Sequence, residues 1–151
     1  MLDGVAHSID ALGFRSRTWG FRDDSMQFVE HSSLFACFPD GDITAMKFRW
    51  PDGSLRAAGA VLTDAGAEPI VDYHITRDRV GLLLRGVVDC ADGRQIEISR
   101  SDTVASFWCP IGPLECNGPI YSQYEEFIEV ETDDGRRGMG LAEHAVARLV
   151  Y

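Results

Sequence analysis

The stretch GFRSRTWGFRDDS, Gly13 to Ser25, gathers three arginines, two aspartates, a tryptophan and two serines between glycines and phenylalanines. On an extended backbone Arg15, Arg17, Trp19 and Phe21 share one side, while Phe14, Ser16, Thr18 and Gly20 share the other. A guanidinium stacks on an indole ring and binds carboxylates bidentately, so Arg17 and Trp19 form a candidate cation–π unit, with Arg22, Asp23 and Asp24 following it. Two readings fit the stretch: a site that orients an anionic or carbonyl group, or a salt-bridged rim plugged by the tryptophan.

A second candidate lies in YSQYEEFIEVE, where Tyr124, Glu126, Ile128 and Val130 share the more apolar face. That face is expected to point inward and to take Glu126 with it. A carboxyl carried inside needs a cationic partner, and the pair is then either a structural ion pair or a poised acid. Among the histidines (His7, His31, His74 and His144), His31 shares a half-polar face with Gln27, Val29, Ser33 and Phe35, a lining suited to a wet cavity. Its neighbours Glu30 and Ser32 point the other way, so VEHSS holds no dyad by itself. The same holds for His144 after Glu143 in GLAEHA.

The elements that must position these groups are strands. Turn signals recur as PDGD at Pro39 to Asp42, PDGS at Pro51 to Ser54, TDAG at Thr63 to Gly66, ADGR at Ala91 to Arg94 and DDGR at Asp133 to Arg136. Between them lie about nine segments rich in β-branched and aromatic residues, with RQIEIS and TVASFW counted separately. AEHAVARLV carries helix formers, but Gly138, Gly140 and a preceding hairpin turn favour a strand. In ITAMKFRW, Met46, Phe48 and Trp50 are expected on one face, with Lys47 and Arg49 outward. The pattern predicts a single all-β domain over residues 1–151, an antiparallel barrel or strongly curved sandwich with little helix.

Composition narrows the function. Of 151 residues 45% are hydrophobic and 25% charged, enough for one core without staples, and the net charge of −10 opposes nucleic-acid binding. No apolar run approaches the roughly 20 residues of a membrane-spanning helix, and the chain does not open on a signal peptide, so a soluble cytoplasmic protein is expected. Cys37, Cys90, Cys109 and Cys116 form no CxxC pair and are expected to be reduced, mostly buried thiols. No GxSxG, HExxH, phosphate loop or dinucleotide fingerprint is present, so no metal or cofactor is expected.

The run GFRSRTWGFRD, a strand ending in a PDG turn, and the closing ETDDGRRGMGLAEHA together resemble the lipocalin-related family of carotenoid 1,2-hydratases and AttH-like proteins. Arg15, Trp19, Gly20, Arg22 and Asp23 match the first motif of an uncharacterised branch; Gly138, Gly140 and Glu143 match the second. The resemblance implies a lipocalin-like barrel, an apolar small-molecule ligand, and one half of a two-half architecture. The other half is then supplied by a homodimer partner or a separate subunit. Where the hydratases place an acid-site histidine two residues before the tryptophan, this chain has Arg17, which stays protonated and suits an oxyanion, carboxylate or enolate instead.

Two functions follow. One is an enzyme without metal or nucleotide, of lyase, isomerase or hydratase type, acting on a terpenoid, steroid or aromatic molecule. Glu126 or His31 would move a proton in it, Arg17 and Arg22 would orient the ligand, and Trp19, Asp23, Tyr124 and Glu143 would shape or bind it. The other is a non-catalytic subunit that binds an apolar ligand or only supports the fold.

Overall fold

The structure, a computed structural model, describes residues 3–8, 10, 28–111 and 120–148. The stretch from Gly13 to Ser25, with Arg17, Trp19, Arg22 and Asp23, lies outside them.

Every turn signal becomes a hairpin. The strands are β1 (Glu30–Phe38), β2 (Gly41–Arg49), β3 (Leu55–Thr63), β4 (Gly66–Arg77), β5 (Leu83–Cys90), β6 (Gln95–Ile111), β7 (Ile120–Thr132) and β8 (Arg137–Arg148). In the β5–β6 turn Asp92 Oδ1 accepts the Arg94 N–H at 2.9 Å, and Gly93 takes a φ of 88°, a conformation that costs glycine least. The β4–β5 turn carries no Asp-Gly signal; there Asp78 Oδ1 accepts the N–H groups of Val80 and Leu82, each at 3.0 Å.

Each strand pairs antiparallel with the next, and β8 pairs back with β1, so the eight strands close into a ring. No helix occurs among the described residues, and none is long and apolar enough to cross a membrane. The expected all-β antiparallel architecture is therefore the observed one, with eight described strands in place of about nine. RQIEIS and TVASFW are one strand, β6, broken in register between Arg100 and Asp102 and again between Thr103 and Ala105. Bulges at those points bend the strand around the ring without ending it.

The core fills the ring's interior. Leu34 and Ala36 of β1, Ile43 and Ala45 of β2, Val88 of β5, Ile98 of β6, and Ile128 and Val130 of β7 are all buried and belong to one cluster. The strand faces carrying them define the inside, which corrects the expectation for β2: Lys47 and Arg49 share the side of Ile43 and Ala45 and point inward at one end of the ring. Phe48 instead packs outside, against Phe28 and His31. The apolar triplet of Met46, Phe48 and Trp50 covers the outer surface.

Closure of the ring depends on close backbone approach between β8 and β1. A Cβ at Gly138 would stand 2.1 Å from the Cys37 carbonyl oxygen, whereas one at Gly140 meets only contacts of 3.2 Å or more. Gly138→Ala is expected to lower unfolding free energy by about 2 kcal/mol or more, and Gly140→Ala by about 1 kcal/mol or less. Urea denaturation of the two variants checks this; equal losses would show that the seam is not tightened at Gly138.

Candidate functional site

At the end of the ring away from the Asp-Gly hairpins of β1–β2, β5–β6 and β7–β8, the inner faces turn from apolar to polar. Continuing the alternation from Leu34 leads to Ser32 and Glu30, from Ala45 to Lys47, from Ile75 to Arg77, from Ile98 to Arg100, from Ile128 to Glu126, and from Ala142 to His144. The polar residues are thus the continuations of the stripes that build the core.

Glu126 is the centre of this layer, with 1% of its surface exposed. Its Oε1 accepts the Leu83 N–H at 2.9 Å. Arg77 Nη1 lies 3.9 Å from Oε1, and Arg100 Nη1 lies 3.8 Å from Oε2. Both guanidiniums are committed elsewhere. Arg77 donates to the Gly81 carbonyl at 2.9 Å and to Ser32 Oγ at 3.2 Å, and Arg100 donates to Asp78 Oδ2 at 3.2 Å. Glu126 Oε2 and the Tyr73 hydroxyl are buried with no hydrogen-bond partner among the described residues.

Burial pushes the Glu126 carboxyl above the usual glutamate range, outweighing the Leu83 N–H and the two arginines, which favour the ionised form. Attraction without a direct hydrogen bond is too weak to cancel the desolvation. Burial likewise raises the Tyr73 phenol, so it stays protonated. His144 is held below the ordinary histidine range by burial and by Arg77, although Glu30 Oε1, 3.3 Å from its Nε2, pulls the other way. Glu30 itself is lowered chiefly by its hydrogen bond from Arg49 Nε at 2.9 Å.

Two cavities lie at this end of the ring. One, of about 490 Å³, is lined by Glu30, Ser32, Lys47, Arg49, Tyr73 and Arg77 among others. The other, of about 220 Å³, lies between Val80, Gly81 and Leu82 of the β4–β5 turn and Trp108, Tyr124 and His144. Tyr124 donates to Ser106 Oγ at 2.7 Å, and its ring centre is 5.0 Å from that of Trp108. A third cavity, of about 520 Å³, opens at the opposite end among Asp40, Glu68, Arg94, Asp134 and Arg136, where every charged group is at the surface or in an ion pair.

Of the residues singled out in the sequence, Glu126 and Tyr124 stand on the inner face, two positions apart. His31 and Glu143 stand on the outer face of the ring, because the inner stripe of β1 is Ser32, Leu34, Ala36 and Phe38. There His31 stacks on Phe48 with ring centres 5.0 Å apart, and its Nε2 is 4.0 Å from Glu143 Oε2. Glu143 also accepts from Ser33 Oγ at 2.5 Å and from Gln123 at 3.0 Å. His31 and Glu143 therefore meet each other across the wall from Glu126. Arg77, Arg100 and Tyr73 were not singled out, although an arginine ending an apolar stripe, as in QIEISR, is a readable signal.

Among the described residues two groups could reach a common cation: Asp72, His74 and Asp89, and Glu68, Cys90 and Asp92. Both already have donors. Lys47 binds Asp72 at 2.8 Å, Gln95 binds Asp89 at 2.8 Å, and Arg94 binds Glu68 and Asp92.

No protein-family model matches the chain, and comparison with characterised proteins finds no match. Solved structures do resemble it. CghA bound to Sch210972 is 10% identical over 84% of this chain and 43% of its own, with a TM-score of 0.51. A further structure of CghA gives the same identity and TM-score over 84% and 42%. Kievitone hydratase from Nectria haematococca is 10% identical over 81% of this chain and 40% of its own, with a TM-score of 0.47. The chain spans about two fifths of the length of these proteins, and at 10% identity the likeness to CghA is one of fold.

The raised carboxyl of Glu126 has a signed consequence. In the unfolded chain the residue ionises near its ordinary value of about 4.5, while the folded chain still holds the proton. The folded state therefore loses stability as pH rises from there until the folded-state value is passed. Glu126→Gln cannot ionise and escapes that loss. Its stability relative to the parent is expected to be constant below about pH 4.5 and to climb above it, as read by urea denaturation across a pH series. A parent protein that gains on the variant as pH rises would mean that the arginines win and the carboxyl is ionised throughout.

Proposed function

We propose that the polar end of the ring is the active site of a cofactor-independent lyase, isomerase or hydratase acting on a largely apolar molecule of terpenoid, steroid or aromatic type. The observation that carries this reading is Glu126 Oε2: a buried carboxyl oxygen without a hydrogen-bond partner among the described residues, set between Arg100 and Arg77, the second of which lines the 490 Å³ cavity. In this role Glu126 gives a proton to the substrate and later recovers it. The carboxylate left behind lies 3.8–3.9 Å from both guanidiniums, so charge that develops on donation is stabilised where it forms. His144, kept neutral by its surroundings, is the acceptor and lines the 220 Å³ cavity, whose walls of Trp108 and Tyr124 suit a flat apolar ligand.

Arg77 and Arg100 take the orienting role that the sequence suggested for Arg17 and Arg22. That CghA has been solved with Sch210972 supports a small-molecule ligand for this fold, and we extend it to this chain. The proposal includes a second half, from another copy or a related subunit, which native mass spectrometry would detect as a complex.

A binding or structural role without turnover is the second reading. It is favoured by the way Arg77, Arg100 and the Leu83 N–H tie Glu126 to the β4–β5 turn. Proton transfer separates the two. Incubation in deuterated water with a panel of apolar enones and cyclic ketones is expected to give enzyme-dependent deuterium uptake, read by mass spectrometry. Glu126→Gln should lower the rate by about 10²–10⁴-fold with little change in binding. If the parent binds panel members but exchanges none, the binding role is the correct one.

A further inference from the structure

The acid–base role given to Glu126 leaves one buried polar group of the site unused. Tyr73 is fully buried, its hydroxyl has no hydrogen-bond partner among the described residues, and it lines the 490 Å³ cavity together with Arg77. A phenol in such a place costs stability that phenylalanine would not, because the hydroxyl loses its water without gaining a protein partner. The position of the ring is itself set by a neighbour. A Cβ on Gly86 of β5 would stand 2.8 Å from Tyr73 Cε2 and 3.2 Å from its hydroxyl oxygen, so the phenol lies directly against bare backbone. Glu126 Oε2 is the second buried polar atom of this end without a partner, and Arg77, the wall residue beside Tyr73, reaches to 3.9 Å from the same carboxyl.

We propose that Tyr73 and Glu126 form a two-point site for a phenol or enol oxygen on an otherwise apolar ligand, with Gly86 as the positioning residue that seats the Tyr73 ring. The inference rests on the reading of this end of the ring as a ligand site and names the group that the ligand presents. The oxygen accepts hydrogen bonds from the Tyr73 hydroxyl and from the proton that Glu126 carries on Oε2, its Oε1 being taken by the Leu83 N–H, which satisfies both buried groups at once. Arg77 and Arg100 disfavour a cation there and tolerate the oxyanion form of the same ligand.

The test uses 2-naphthol and naphthalene, which share a framework and differ by one hydroxyl, titrated into the full chain and followed by calorimetry. The parent is expected to bind 2-naphthol about tenfold more tightly than naphthalene. Tyr73→Phe, which removes only the oxygen, should melt at an equal or higher temperature, bind naphthalene as before and lose the preference. Gly86→Ala, which displaces the ring, should reduce the preference in the same direction. If Tyr73→Phe keeps the preference while Glu126→Gln loses it, the two-point site is wrong but the reading of Glu126 stands. A Tyr73→Phe variant that melts lower and binds 2-naphthol unchanged would show that the hydroxyl only holds an internal water, and would overturn the inference. Should neither compound bind the parent, the ligand site itself fails and the inference with it.

Discussion

A carboxyl group with 1% of its surface exposed must be matched by a proton or by cations, and in this protein the matching of Glu126 organises the whole end of the ring. The residue sits on β7, yet the groups that answer it come from across the interior: Arg77 from β4, the Leu83 N–H from the start of β5, and Arg100 from β6. The same groups fix the turn between β4 and β5. Arg77 donates to Gly81, Arg100 to Asp78, and Asp78 caps its own turn through Val80 and Leu82. Acid, cations and turn are one unit, so a change in any of them reaches the shape of both cavities.

The interior is divided by length along the strands. Toward the hairpins of β1–β2 and β7–β8 the inner stripes are aliphatic and close-packed, and their burial supplies the hydrophobic stabilisation of the ring. Toward the other end the stripes finish in serine, lysine, arginine, glutamate and histidine. These groups need hydrogen bonds and water, and they prevent the mouth from packing shut. A site of this kind needs no separate element to hold it, because it is where the core stripes run out.

How much of this could be read from the chain depended on contrast between strand faces. In YSQYEEFIEVE the face of Ile128 and Val130 opposes Glu125, Glu129 and Glu131, so the inward direction of Glu126 was legible, as were the hairpins at every Asp-Gly. In EHSSLFACF the two faces carry Leu34, Ala36 and Phe38 against Phe35 and Cys37, and nothing in the pattern places His31 outside. Strand β2 misleads for a physical reason: Met46 and Phe48 cover the outer wall, while Lys47 and Arg49 are wanted inside at the polar mouth. The register shift between Ile70 and Asp72 hid Tyr73, since a bulge brings Ile70 and Tyr73 to the same face at an odd spacing.

The spacing of the charges around Glu126 bears on what the unit can do. Had either guanidinium bonded the carboxyl directly at the usual 2.7–2.9 Å or so of a charge-assisted contact, the glutamate would be fixed as an anion and would have no proton to give. With no cation nearby, a buried carboxyl would hold its proton and resist releasing it. At 3.8 and 3.9 Å, with both arginines anchored to the turn, neither extreme applies. The anion is stabilised when it forms, while burial holds the carboxyl above the ordinary glutamate range. Those opposing influences, and not a closed ion pair, are what a group used alternately as acid and base requires.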